Sequence, residues 1–398
     1  MMWRSGVLIG ITMVVFAGAI SVKPADADNA DTGSPFNSTG RLSFPPPREM
    51  ESPVGHRGPA DFSSSIYSLS FDAVSLIANS AQSSIDNRLA TFKTTATSSA
   101  HRTADRLNNA SGKATMTMPG DSFSAFGSGG WTQVFGLTTP TANIDPLVEK
   151  GTFSGAMLGF DTKLSDHSIG GVFFGGSAGK LSTDDNNNRV SANGFYGGFY
   201  VTRLWGRNIF DLSISAGLTD QNSERLVEDI NQTAEASYKG YFFNPTVTVS
   251  HFTTIAGQLI VPSLKLGYSG YIFEDFAEKG TVEDLTVSAH STHMMHARAQ
   301  LAVPLEEIFF DNTSFKFEGR GGLRTDLNLS GDTITTAHPG HQLSIDIADN
   351  AYTLDFFIGA DAVYKLNSGI MLFGEFETSL DSTGGIDAQA FFGTRFSF

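Results

Sequence analysis

From Trp131 to Phe398 the hydrophobic residues recur with a period of two, and this one feature limits the chain to β-strands. Over 208–219, Phe210, Leu212, Ile214, Ala216 and Leu218 form one face, and Asp211, Ser213, Ser215 and Gly217 the other. Over 238–250, Tyr241, Phe243, Val247 and Val249 oppose Asn244, Thr246, Thr248 and Ser250. The alternation is longest over Leu285 to Val303, which is predicted to be one strand. A soluble sandwich uses strands of about 5–6 residues. A strand three times longer suits a tilted crossing of a membrane and a projection beyond it.

The faces opposite the apolar residues sharpen this. Over 314–328, Phe315, Phe317, Leu323 and Leu327 oppose Lys316, Glu318, Arg320, Arg324 and Asp326. Over 354–365, Leu354, Phe356, Ile358, Ala360, Ala362 and Tyr364 oppose Asp355, Asp361 and Lys365. Strands are predicted near 129–137, 153–163, 168–181, 189–204, 208–219, 237–252, 258–272, 284–303, 313–328, 351–365, 369–380 and 386–398. The connections then alternate. Those at 138–152, 182–188, 220–236, 273–283 and 329–350 are long and polar, whereas 164–167, 205–207, 253–257 and 366–368 are tight. The run 304–312 is intermediate, and the turn 381–385 is short on the long side. Short turns at one end and long loops at the other mark an outer-membrane barrel. The predicted fold is all-β: a membrane-spanning antiparallel barrel of about twelve strands, with both ends of the wall in the periplasm. A secreted β-sandwich or solenoid would have to explain charged inward faces and a terminal Phe398.

The region before the wall divides into three. Arg4 supplies a positive start, Gly6 to Ile20 an apolar stretch, and Ala25-Asp26-Ala27 a small-x-small cleavage site, so residues 1–27 are predicted to be a secretory signal peptide. Residues 28–62 contain Pro45-Pro46-Pro47 and few apolar groups, and cannot bury enough surface to offset the entropy of ordering. Residues 63–128 are predicted to be a helix and a connector. Over 64–93 the stripe Ile66, Leu69, Ala73, Ile77, Ala81, Ile85 and Leu89 runs at spacings of three and four. Ser63 to Ser65 offer N-caps. The opposite face is Ser and Asn rather than Lys and Glu, which suits a polar lumen better than bulk water. Residues 129–398 are the predicted barrel.

Composition removes several functions. The chain has no Cys, which excludes disulfide scaffolding, thiolate catalysis and cysteine-ligated zinc. A net charge of -15 argues against nucleic acid, whose phosphates require a basic surface. No run of about 20 apolar residues forms a spanning helix.

The order of signal peptide, helix, barrel and terminal Phe resembles the translocator domain of autotransporters, the type V secretion family. The resemblance covers roughly 270–330 residues and rests on several segments. These are Gly130-Trp131-Thr132-Gln133-Val134-Phe135-Gly136 and the glycine-aromatic hairpin from Gly159-Phe160-Asp161 through Gly170-Gly171-Val172-Phe173-Phe174-Gly175-Gly176-Ser177. Pro262-Ser263-Leu264-Lys265-Leu266-Gly267-Tyr268 and the closing Phe392-Gly393-Thr394-Arg395-Phe396-Ser397-Phe398 complete the set. Thr394 departs from the family's apolar residue. So does the small size of what precedes the barrel, at most about 100 mature residues where the family carries a large passenger.

The resemblance implies an outer-membrane translocator in a Gram-negative bacterium that carries its short N-terminal segment to the cell surface. It implies a monomeric, non-enzymatic barrel with the helix in its lumen and no cofactor. Its partners would be outer-membrane lipids, the barrel assembly machinery and periplasmic chaperones, with no nucleic acid. Phe392, Phe396 and Phe398 would form the assembly signal. The alternative is a stand-alone channel or structural barrel plugged by the helix.

The candidate site residues are the predicted lumen charges Lys316, Glu318, Arg320, Arg324, Asp326, Asp355, Asp361, Glu375, Glu377 and Arg395. They either grip the helix around Arg88 or compensate one another in a wet lumen. Asn108-Asn109 is on spacing alone a polar loop dipeptide; the resemblance adds the family's self-cleaving Asn-Asn junction, helped by lumen carboxylates. His290, His293 and His296 have helical metal spacing, but on a strand His293 points away from the other two. Ser291 and His293 share a face, without an identifiable oxyanion donor or third group.

Overall fold

The computed structural model describes residues 69–90, 92, 128–139, 149–183, 187–227, 230–256, 258–305, 307–310, 313–331, 334–338, 341–345, 352–366, 369–382 and 386–398. It also describes a short antiparallel pair, Phe36–Asn37 with Arg41–Leu42. The wall consists of β1 (Gly129–Thr139), β2 (Glu149–Ser165), β3 (Ser168–Thr183), β4 (Asn188–Trp205), β5 (Asn208–Val227) and β6 (Gln232–His251). It continues with β7 (Gln258–Phe273), β8 (His290–Pro304), β9 (Thr313–Gly331), β10 (Tyr352–Lys365), β11 (Ile370–Asp381) and β12 (Ile386–Ser397). Each strand pairs antiparallel with its neighbour in sequence. The sheet closes where β12 meets β1, with Phe396 opposite Thr132 and Phe392 opposite Gly136. Gly130 and Phe398 exchange backbone hydrogen bonds at the seam. Twelve strands in a closed antiparallel barrel is the predicted fold, and closure leaves no edge to be satisfied by water or lipid.

The alternation sorts the side chains as expected. Leu158, Phe174, Phe195, Leu264, Phe356 and Phe392 point outward and are exposed, whereas Trp131, Phe173, Tyr200, Tyr271 and Phe357 point inward and are buried. The buried core is shared between the inner wall and a helix, α1 (residues 69–90, with Phe92 also helical). Leu69, Ala73, Ile77, Ala81, Ile85 and Leu89, the described part of the predicted stripe, are all buried.

β2 begins at Glu149, four residues before the predicted start, and the predicted loop 329–350 holds the paired strands Ile334–His338 and His341–Ile345. Two further departures change the wall more. Residues 220–236 are mostly ladder rather than loop: β5 and β6 each run 20 residues and leave only 228–231 between them. Gln221, Ser223 and Arg225 continue the inward face there, opposite Ala234, Ala236 and Tyr238, so the polar composition belongs to strands that project past the membrane. Asn231 makes the tip with a left-handed φ of 50°, which Asn tolerates. The span Leu285 to Val303 is also broken. Thr286–Val287 leaves the wall and pairs with Phe276–Ala277 and with Ile334–His338, which pairs in turn with His341–Ile345. Leu285 and Val287 stay buried, so the alternation persists while the strand's partner changes.

The opposite end is plainer. Gly206, at φ 58°, turns β4 into β5 within two residues, a conformation that favours glycine. Thr253–Ile255 and Ile308–Phe310 form small hairpin extensions at the β6–β7 and β8–β9 connections.

Candidate functional site

The lumen is the candidate site, because the helix meets the wall there. On one side the contact is close and dry. The Cβ that Gly194 lacks would sit 2.7 Å from Ile77, and that of Gly240 would sit 3.0 Å from Val74. Glycine at these two inward positions is what lets a helix lie against the sheet.

The helix is fastened at both ends by different chemistry. Near its N-terminus, Ser70 hydrogen-bonds the Tyr238 hydroxyl, and Phe71 packs edge-on against Tyr271 at 5.0 Å. Tyr238 in turn stacks on Phe276 of the loop sheet at 4.0 Å. That loop is held by a buried pair, in which Arg225 donates to both oxygens of Glu278, at 3.1 and 2.6 Å, and to the Glu283 carbonyl at 2.9 Å. Midway, Gln82 donates to Ser213 Oγ at 3.0 Å.

Near its C-terminus the helix carries Arg88, whose Nε donates to Asp161 Oδ2 at 2.9 Å. The other oxygen, Asp161 Oδ1, accepts from Trp131 Nε1 at 3.2 Å and from the Tyr200 hydroxyl. The Arg88 guanidinium lies 4.8 Å from the Phe92 ring and 5.8 Å from that of Trp131. Arg395 completes the cluster: it donates to Gln133 Oε1 at 2.6 Å and to Asn87 Oδ1 of the helix at 3.2 Å, with its charge 5.9 Å from the Trp131 ring. A buried carboxylate with two neutral donors and a paired arginine is satisfied in a way that an isolated charge is not.

Most of the lumen charges expected from sequence lie elsewhere. Arg320 donates to both Asp361 oxygens at 2.9 and 2.7 Å, to Glu377 at 3.1 Å, and to Glu375. Arg298 holds both oxygens of Glu377 at 3.0 and 2.7 Å, and Arg324 holds Asp355 at 2.7 and 3.0 Å. Asp326 pairs with His296 at 2.6 Å. Lys316 and Glu318 line the same wall. Apart from the fully buried Asp355, these residues of β8–β11 face a cavity of about 400 Å³ that separates them from the Asn79, Gln82 and Asp86 flank of the helix. Of the ten predicted charges, Arg395 donates directly to the helix. The others answer chiefly to one another, which favours charge compensation over a grip on Arg88.

The grip is made by Asp161, Trp131 and Tyr200, which sequence reasoning did not assign to it. A signal was present: Asp161 is an isolated carboxylate at an inward position in the glycine-aromatic hairpin, and Arg88 an isolated base late in the helix. Asn108-Asn109 lies outside the described residues, and the mass of the purified mature protein separates its two readings. The three histidines are split as the strand parity required. His290 stacks inside on Phe273 at 4.8 Å, whereas the outward His293 meets the Tyr268 hydroxyl at 2.6 Å. Among the described residues no three His, Asp or Glu side chains are grouped to hold a metal ion. Phe392 and Phe396 share the outward face of β12, and Phe398, the residue after it, is 82% exposed.

A closed twelve-stranded barrel with a helix through its lumen defines a class of outer-membrane translocator, and the comparisons agree. The family model described as the autotransporter β-domain matches residues 126–377, and the chain belongs to that family. The translocator domain of the autotransporter NalP from Neisseria meningitidis aligns over 76% of this chain and 98% of its own, at 13% identity and a TM-score of 0.54. The β-domain of the Bordetella autotransporter BrkA aligns over 69% of this chain and all of its own, at 14% identity and a TM-score of 0.50. No match was found among curated proteins by sequence. The barrel is therefore an outer-membrane translocator of a Gram-negative bacterium. Its short-turn end faces the periplasm and its loop-rich end the exterior.

Proposed function

We propose that this barrel exports the segment that precedes its own helix, residues 28–62, and that α1 is the part of the exported chain retained in the lumen. The observation that supports this is the direction of the helix. Its N-terminal residues Ser70 and Phe71 meet Tyr238 and Tyr271 toward the loop-rich end. Its C-terminal Arg88 meets Asp161, four residues from the Ser165–Ser168 turn at the periplasmic end. A chain that leaves the helix N-terminally thus continues toward the exterior.

In this scheme residues 1–27 are the secretory signal peptide. Periplasmic chaperones deliver the chain to the barrel assembly machinery, which reads Phe392, Phe396 and Phe398. The barrel acts as a monomer and does no chemistry on a substrate. Deleting Phe396 to Phe398 is expected to lower the amount of heat-modifiable barrel in the outer membrane, and an unchanged amount would remove those residues from the assembly signal.

Export is tested by an epitope tag near Thr39 and protease treatment of intact cells. Loss of the tag with the barrel retained is the expected result. A protected tag, with tags in the 273–290 loop still accessible, would overturn export.

A further inference from the structure

The lipid-facing surface of the barrel is uneven. Over much of it, an outward glycine lies beneath an aromatic ring. A Cβ on Gly130 would sit 2.6 Å from Phe398, on Gly136 2.7 Å from Phe392, on Gly197 2.9 Å from Phe174, and on Gly270 3.0 Å from Tyr268. On β9 and β11 the covering rings are missing. Nothing lies within 4 Å of a Cβ placed on Gly319 or Gly374, and Gly321 is met first by the Phe357 carbonyl oxygen at 3.4 Å.

The result is a groove of about 350 Å³ in the outer wall, floored by Gly319 and Gly321 and sided by Leu301 and Val303. It lies in the periplasmic half, since Val303 immediately precedes the last residue of β8. Below it, the hairpin Ile308–Phe310 continues the same outward stripe past the end of the wall. Leu305, Ile308 and Phe310 are each about half exposed, at 50, 51 and 51%. The tight turns at this end have polar tips, Asp166-His167 after β2 and Gly206-Arg207 after β4, although Leu164, Trp205 and Ile255 beside such turns are exposed as well.

We infer that this groove holds one acyl chain of an inner-leaflet phospholipid, with the Ile308–Phe310 hairpin as its lower wall. The groove is continuous with the surface that the barrel fold already commits to lipid. Leu301 and Val303 line it with apolar side chains. Arg320, which also borders it between the two glycines, turns its guanidinium into the lumen toward Asp361 and Glu377, so the groove offers hydrocarbon contacts and no charged group for a headgroup. Its concavity selects the occupant. The convex wall of a second barrel cannot enter a slot between neighbouring strands, whereas a flexible chain can and restores the dispersion contacts that an empty slot forfeits. Its depth assigns the chain to the inner leaflet. The inference depends on membrane insertion alone, so failure of the export scheme leaves it standing.

The test is native mass spectrometry of the full-length barrel in mild detergent, with phosphatidylethanolamine added back as the probe. The wild type is expected to retain one lipid per barrel. Gly319→Leu/Gly321→Leu, which fills a slot with open space above it, is expected to retain at least tenfold less while remaining heat-modifiable. Should that variant fail to fold, Ile308→Asn/Phe310→Asn removes the lower wall and is expected to weaken retention several-fold. Equal retention by wild type and a folded variant would overturn the inference. So would paired barrels in the wild type that separate in the variant, because a second copy would then cover the groove.

Discussion

Two sides of one wall meet the same helix in different ways. Strands β1–β6, with β12, approach it through glycine and aromatic side chains and close on Arg88 with a single buried carboxylate. Strands β8–β11 carry most of the lumen charge but spend it internally, three arginines against Glu377, Asp361, Glu375 and Asp355, across a cavity from the helix. Charge density is thus a poor guide to what holds the helix. A dry, shape-matched contact with one satisfied ion pair fixes position. A self-neutralised wall keeps its charges paired within itself and leaves room beside the helix. Under the proposed export of its own N-terminal segment, the barrel must pass a chain and then be plugged by it, and these separate requirements are met by separate strands.

The comparison is broken most severely at Asp161. Asp161→Ala leaves Arg88 buried without its carboxylate, and removing one partner of a buried pair costs about 3–5 kcal/mol. The expected outcome is a loosened helix in an intact barrel. It is checked as a rise in single-barrel conductance in planar bilayers and as protease cleavage within residues 82–92. Arg88→Ala/Asp161→Ala is expected to recover part of the loss, because the stranded charge is gone. Wild-type conductance in Asp161→Ala would show that the helix is held elsewhere.

Arg320→Ala makes the converse case. It strands carboxylates of Asp361 and Glu375, at a cost of about 1–3 kcal/mol that falls on the barrel. The barrel is expected to unfold in micelles at lower urea or temperature while the helix keeps wild-type protease protection. Released helix in this variant would join the two sides into one device. Gly194→Leu probes the dry side without charge, since its side chain would enter the space of Ile77. Overpacking of that kind costs about 1–3 kcal/mol, and Ile77→Ala is expected to restore a good part of the helix protection.

The same contrast explains what could be read in the sequence. The strands and their inward faces were legible because lipid on one side and lumen on the other impose the alternation residue by residue, so Lys316, Arg320, Asp361 and Glu377 were assigned to the lumen. The extent of β5 and β6 was not, since Gln221, Ser223 and Arg225 have loop composition and become ladder only because Ala234, Ala236 and Tyr238 continue opposite them. The departure of Thr286–Val287 from the wall was hidden for a related reason: a strand keeps its period when it changes partners. The clamp was least legible. Asp161 and Arg88 stand 73 positions apart. They meet only if the helix enters with its C-terminus at the periplasmic end and at one height in the barrel, and both are properties of packing that no local pattern carries.

The mildest test lies at the boundary between the two sides. Lys265 of β7 donates to Asp86 of the helix at 2.5 Å, but their side chains are 28% and 40% exposed at the cavity. A partly hydrated pair is worth roughly 0.2–1 kcal/mol and is screened by salt. Lys265→Met is therefore expected to change helix protection slightly, with the difference vanishing as ionic strength rises, whereas the defect of Asp161→Ala persists. The two variants differ in the burial of the pair they break more than in the number of charges removed. If Lys265→Met released the helix as fully as Asp161→Ala, burial would not be what separates the holding side from the open one, and the cavity wall would have to be counted among the elements that retain the plug.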